Sequence, residues 1–277
     1  MKQRWLVVAV GLPLFLWVLL WCPVWATWLL FAAITGIAVY EMIHTAAKDV
    51  AKDIYAFVII ESFMLQAGIF YALVRGYDFG LLVSLGAAWV LLMRLFREAV
   101  HRFGTEKPFS FKDLAVCFLA GTMLPLMYSA IFLLRAKSVV YVLAPFCVAF
   151  VGDALSMYCG MWFGKKTPKF APNVSPKKTW AGAIGGPIGS AIAMLALGFV
   201  SWKLGIYEPN YFALLLVGVV GNVFGQLGDL SMSLIKREVG IKDYSRLFLT
   251  HGGVLDRFDS SMFIAPVILF AVLGGLI

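Results

Sequence analysis

The feature that most constrains this chain is a rhythm of long apolar stretches, each about 17 to 25 residues, separated by short connectors that hold most of the charge. An α-helix rises about 1.5 Å per residue, so about 20 apolar residues cross the roughly 30 Å hydrocarbon layer of a bilayer. Nine stretches have that length, at roughly 5–21, 24–43, 54–74, 79–96, 114–134, 138–163, 179–201, 211–235 and 255–277. With 62% of residues apolar and 14% charged, the chain lies outside the balance of an ordinary soluble domain. The expectation is an all-α, polytopic integral membrane helical bundle of about nine transmembrane helices.

The connectors set its orientation. With a cytoplasmic N-terminus, only Arg75, Arg135, Lys137 and Lys203 of the 23 Lys and Arg residues face outward, as the positive-inside rule requires. The formal charge of +8 therefore reports topology, and the expected partners are membrane lipids and not nucleic acid. Cys22, Cys117, Cys147 and Cys159 lie in or beside apolar runs without C-x-x-C spacing and read as packing residues. The first 20 residues begin basic and turn apolar without a small-residue cleavage site, so a retained first helix is expected. No Ser-, Pro- or charge-rich linker divides the chain. It reads as one membrane domain over 1–277, with scaffold helices at 1–137 and a catalytic half at 138–277, where most acids at membrane depth and the longest basic connectors fall.

Three groups of residues stand out chemically. In the eighth run, Asn222, Gln226, Asp229, Ser233 and Lys236 are spaced by alternating fours and threes, which puts them on one helical face. A lone carboxylate deep in a bilayer costs about 3 kcal/mol, so this face should line a cavity or meet polar partners; a structural seam between helices is the bland alternative. Next, Arg237 and Lys242 lead to His251-Gly252-Gly253-Val-Leu-Asp256-Arg257-Phe-Asp259. A helix starting near Val254 would put Asp256 and Asp259 on one face, as hard oxygen ligands that with Asp229 suit one or two Mg²⁺ ions. The Gly pair would let backbone approach a phosphate, and Lys236, Arg237, Lys242 and Arg257 would neutralise it. Acids at a helix start and basic residues at a membrane exit also have ordinary structural explanations. His251 reads equally as a reacting group or a hydrogen-bonding loop residue.

In the third group, Asp153, Ser156, Gly160 and Gly164 share one face of the sixth run, followed by Lys177 and Lys178. That basic pair suits a triphosphate, a lipid phosphate or a positive-inside anchor. Gly182, Gly185, Gly186 and Gly189 have the spacing of close helix packing. Glu41, near the edge of its run, reads as interfacial, whereas the deeper Glu61 requires a partner.

The string from Ser233 to Asp259 resembles the signature of the phosphatidate cytidylyltransferase family, and the resemblance extends to Gln226-x-Gly228-Asp229-Leu230, to Ser175-Pro-Lys-Lys-Thr179 and to Asp153 with its Gly-x-x-Phe-Gly segment. It covers the C-terminal half by motif and the first half by hydropathy alone. It implies a metal-dependent nucleotidyltransferase of phospholipid biosynthesis that moves CMP from CTP to phosphatidic acid, releasing pyrophosphate. Asp229, Asp256 and Asp259 would be the metal and catalytic carboxylates, with Asp153 a further candidate. Lys236, Arg237, Lys242, His251 and Arg257 would hold phosphates. Ser175, Lys177, Lys178 and Thr179 would line the nucleotide or lipid-phosphate side, with Gly252 and Gly253 close to a phosphate. The implied cofactor is Mg²⁺, one or two ions, with a monovalent ion as an additional option. The implied location is a cell membrane, such as a bacterial inner membrane, with the site at the cytoplasmic face and a homodimer as one arrangement. Ala154, Ala181 and Leu249-Thr250 depart from the family pattern. Two other readings stand beside this one: an inactive lipid- or nucleotide-binding relative, and a cation transporter using the intramembrane acids.

Overall fold

The structure, a computed structural model, describes the chain apart from residues 1, 48, 49, 246 and 248–251, with 2–8 described by backbone alone. His251 and the Leu249-Thr250 departure therefore lie outside the described residues. Ten α-helices follow in order: α1 Lys2–Trp21, α2 Val24–Ala46, α3 Lys52–Arg75, α4 Tyr77–His101, α5 Phe111–Lys137, α6 Val139–Phe163, α7 Trp180–Lys203, α8 Tyr211–Glu238, α9 Leu255–Phe258 and α10 Ser261–Leu273. Among the described residues, seven helices, α2 to α8, are long and apolar enough to span a bilayer. The chain is an all-α membrane bundle.

Most element boundaries follow from local chemistry. Pro23, which has no N–H to give, separates α1 from α2 in extended conformation. Gly76, at φ +121°, turns the chain between α3 and α4. The last apolar run departs from the expected continuous helix: four residues of α9 are followed by a turn at Asp259-Ser260 before α10 begins. At 13 residues, α10 extends only about 20 Å.

Between α6 and α7 stands an element the apolar pattern did not announce, a small antiparallel hairpin of β1 Lys169–Ala171 and β2 Ser175–Thr179. Phe170 meets Trp180 edge-on at 4.7 Å between ring centroids, which anchors the hairpin to the start of α7. Arg237 Nε donates to the Val174 carbonyl at 3.3 Å, tying its turn to the end of α8.

The chain forms two compact units, one of residues 1–132 with 238–257 and one of residues 133–237 with 258–277. In the first, Gln66 Nε2 donates to Thr35 Oγ1 at 2.9 Å and to the Pro125 carbonyl at 3.2 Å, joining α2, α3 and α5 by an amide with no water to turn to. In the second, α6 and α7 pack most closely, through the glycines expected for that purpose. A Cβ at Gly185 would sit 2.6 Å from Cys159 Sγ, and one at Gly189 would sit 2.8 Å from Leu155 Cβ.

Candidate active site

The polar stripe of α8 turns inward. Asn222 and Lys236 are buried and Gln226, Asp229 and Ser233 half-buried, while Val223, Phe224, Leu227 and Leu234 on the other side are exposed. Polar-in and apolar-out is the arrangement a lipid solvent selects. Gln226 Nε2 donates to Asn222 Oδ1 at 2.7 Å and to the Ala183 carbonyl of α7 at 3.0 Å, and Ser233 donates to Asp229 at 3.4 Å. The absence of a side chain at Gly152 lets Asn222 and Ser190 approach α6 there.

The stripe and the S-P-K-K-T string, separate in sequence, meet in space. Lys178 at the end of β2 forms an ion pair with Asp229 at 2.5 Å. Asp153 of α6 feels the charges of both. Asp259, in the turn ahead of α10, feels Asp229, Asp153 and the opposing charge of Lys236. Asp153, Asp229 and Asp259 therefore share surroundings with Lys178 and Lys236.

Beside this cluster lies a cavity of about 450 Å³. Its lining includes the polar Asp153, Ser156, Lys177, Lys178 and Gln226 and the apolar Met157, Met161 and Phe170. Thr179 also lines it, but its Oγ1 accepts the Gly182 N–H at 3.3 Å and so caps α7. Ser175 is half-buried at the start of β2.

The residues of the 238–257 segment belong to the first unit. Asp256 does not extend from the first turn of a long helix; its Oδ2 accepts the backbone N–H groups of Tyr244 at 2.8 Å and Gly253 at 2.9 Å. Lys242 and Arg257 are exposed. Gly252, at φ +83°, leaves space in which a Cβ would stand 2.8 Å from Asp256 Oδ2. Where Gly253 has no Cβ, the carboxylate of Glu41 fits against the backbone. The space these two glycines leave is taken by carboxylates of the chain itself.

Glu41 is the residue that sequence reasoning missed. It is 2% exposed and accepts from Val254 N–H at 3.0 Å, Leu255 N–H at 2.9 Å and Ser245 Oγ at 2.6 Å. Its one signal was an acid within an apolar run near a helix C-terminus, where the macrodipole disfavours negative charge.

A sequence pattern described as the cytidylyltransferase family matches residues 2–273 of the chain. The chain belongs to the cytidylyltransferase family. Relatives include phosphatidate cytidylyltransferases of Staphylococcus haemolyticus, 38% identical, and Staphylococcus saprophyticus, 35% identical, each over 165 residues covering 59% of this chain and 61% of the relative. A phosphatidate cytidylyltransferase of Staphylococcus aureus is 37% identical over the same share. The chain thus spans about three fifths of the length of the curated relatives it matches. In this cytidylyltransferase-family chain, carboxylates are the donor type a hard divalent ion requires. No three His, Cys, Asp or Glu side chains among the described residues stand in a metal-holding arrangement, and Lys178 occupies Asp229.

Proposed function

We propose that this chain is a phosphatidate cytidylyltransferase, joining CTP and phosphatidic acid into CDP-diacylglycerol and pyrophosphate. The observation that carries the reading is the pairing of Lys178 with Asp229 beside a cavity lined by both charged and apolar side chains, in a chain matched by the family pattern over 2–273. A cavity of that kind suits reactants that meet at phosphates, one of them attached to acyl chains. The names of the staphylococcal relatives point to the same substrates.

Phosphatidate brings its own nucleophilic oxygen, so no serine or cysteine nucleophile is needed. That oxygen attacks the α-phosphorus of CTP, and the bond from the α-phosphorus to its bridging oxygen breaks, with pyrophosphate leaving as the electron pair's acceptor. The main barrier is repulsion between two phosphate-bearing anions. Lys177 and Lys178, at the cavity, hold the reacting phosphates against that repulsion, with Lys236, Arg237, Lys242 and Arg257 assigned to the same task; Ser175 contributes a hydrogen bond. Asp229, Asp259 and Asp153 are the residues that would hold Mg²⁺, with Asp256 as a fourth carboxylate. When bound, that ion screens phosphate charge and stabilises the departing pyrophosphate. Release of Lys178 from Asp229 would free its ammonium for a phosphate and leave the Asp229 carboxylate available to a cation.

The finer topology belongs to this reading as well: nine crossings, with α1 and α9–α10 added to the seven long helices, a cytoplasmic N-terminus, and a site at the cytoplasmic face of a bacterial inner membrane. The test is purified protein in lipid with phosphatidic acid, labelled CTP and Mg²⁺. Labelled CDP-diacylglycerol and pyrophosphate release needing both substrates are expected; CTP binding without turnover would assign the chain a binding role instead.

A further inference from the structure

The Gly252–Asp256 turn is held by an acid contributed from the other end of the first unit. Glu41, five residues before the end of α2, is buried, and both of its oxygens are engaged. Oε1 accepts from Val254 N–H and Ser245 Oγ, and Oε2 accepts from Leu255 N–H. These N–H groups stand at the start of α9, where no earlier helical carbonyl can satisfy them. Gly253 is the residue whose missing side chain lets the carboxylate lie against the turn. Immediately beyond, Asp256 accepts from Gly253 and Tyr244, so two carboxylates share one short stretch of backbone.

Burying a carboxylate in an apolar segment is costly unless donors surround it, and simple helix packing at position 41 requires no acid. Among the described residues, the donors come from residues 245, 254 and 255, beside the D-R-x-D string. We infer that Glu41 is a positioning residue that sets the backbone carrying Asp256 and Arg257, and thereby links α2 to the reaction. This deepens the cytidylyltransferase reading and rests on it for the kinetic consequence, although the clamp on the turn does not. A glutamine at 41 retains the length but presents an NH₂ group where one of two backbone N–H groups requires an acceptor.

The deciding experiment follows hydrogen exchange in the purified full chain in lipid nanodiscs without substrate, and CTP turnover on the same preparations. Glu41→Gln is expected to raise exchange at Val254 and Leu255 about 10-fold or more while α3 and α5 keep wild-type protection, and to lower kcat about 10-fold with KM for CTP within about 2-fold. Ser245→Ala, which leaves both backbone bonds, should raise exchange at the turn by about 2- to 3-fold and retain most turnover. Unchanged exchange at the turn in Glu41→Gln, or exchange raised equally through the first unit, would overturn the inference. If Glu41→Gln does not fold, Ser245→Ala decides: a rise confined to the turn supports the clamp, and no rise overturns it. A wild-type chain without turnover sinks the cytidylyltransferase reading, and the exchange result alone then decides the clamp.

Discussion

Asp229 carries more of the site than its place in an apolar helix suggests, since it bonds Lys178 and lies within the field of both Asp153 and Asp259. If these acids act as assigned, Asp229→Asn and Asp259→Asn should each lower turnover by about 100-fold or more with the fold intact, because each removes charge that an ion and the transition state require. Steady-state pyrophosphate release alongside a thermal melt measures both quantities. Lys178→Gln should lower kcat/KM for CTP by about 10- to 100-fold, as loss of one charged hydrogen bond implies.

At the scale of elements, the pairing of α6 with α7 positions Asp153 relative to the S-P-K-K-T strand. Gly189→Val should loosen that pairing, because its first added carbon already meets Leu155 and the Val151 carbonyl at 2.8 and 2.9 Å. A destabilisation of about 1–3 kcal/mol is expected from such overpacking, read as a lower melting temperature in nanodiscs. Thr179 ends β2 and caps α7, which explains its place in the string without any ligand. Its replacement by alanine should cost about 1 kcal/mol of stability as a lost cap, and turnover should fall only as far as the hairpin shifts. The expected helices correspond closely to the observed ones from α2 to α8, since a bilayer-spanning helix needs only length and apolarity. The hairpin was not legible because its three- and five-residue strands offer too little alternation to distinguish them from a basic connector. The break after α9 was equally hidden, since Asp259 and Ser260 do not rule out helix by propensity.

For the whole molecule, the nine-crossing arrangement places Thr105 on the cytoplasmic side and Gly205 on the opposite side. Single cysteines at those positions, in a chain freed of its four native ones, should react with an impermeant thiol reagent from opposite faces of sealed vesicles. Labelling of both from one face would refute the arrangement. Membrane residence and the places of the seven long helices, α2 to α8, could be read from one dimension, because each depends on composition within a run. Three outcomes depended on tertiary structure: that Lys178 answers Asp229 across 51 positions, that the Gly pair accommodates carboxylates, and that Glu41 reaches a turn more than 200 residues away. These are pairings between distant segments, and a carboxylate's partner in an apolar interior is chosen by which donors the packed backbone brings within hydrogen-bond reach, a quantity no local pattern encodes.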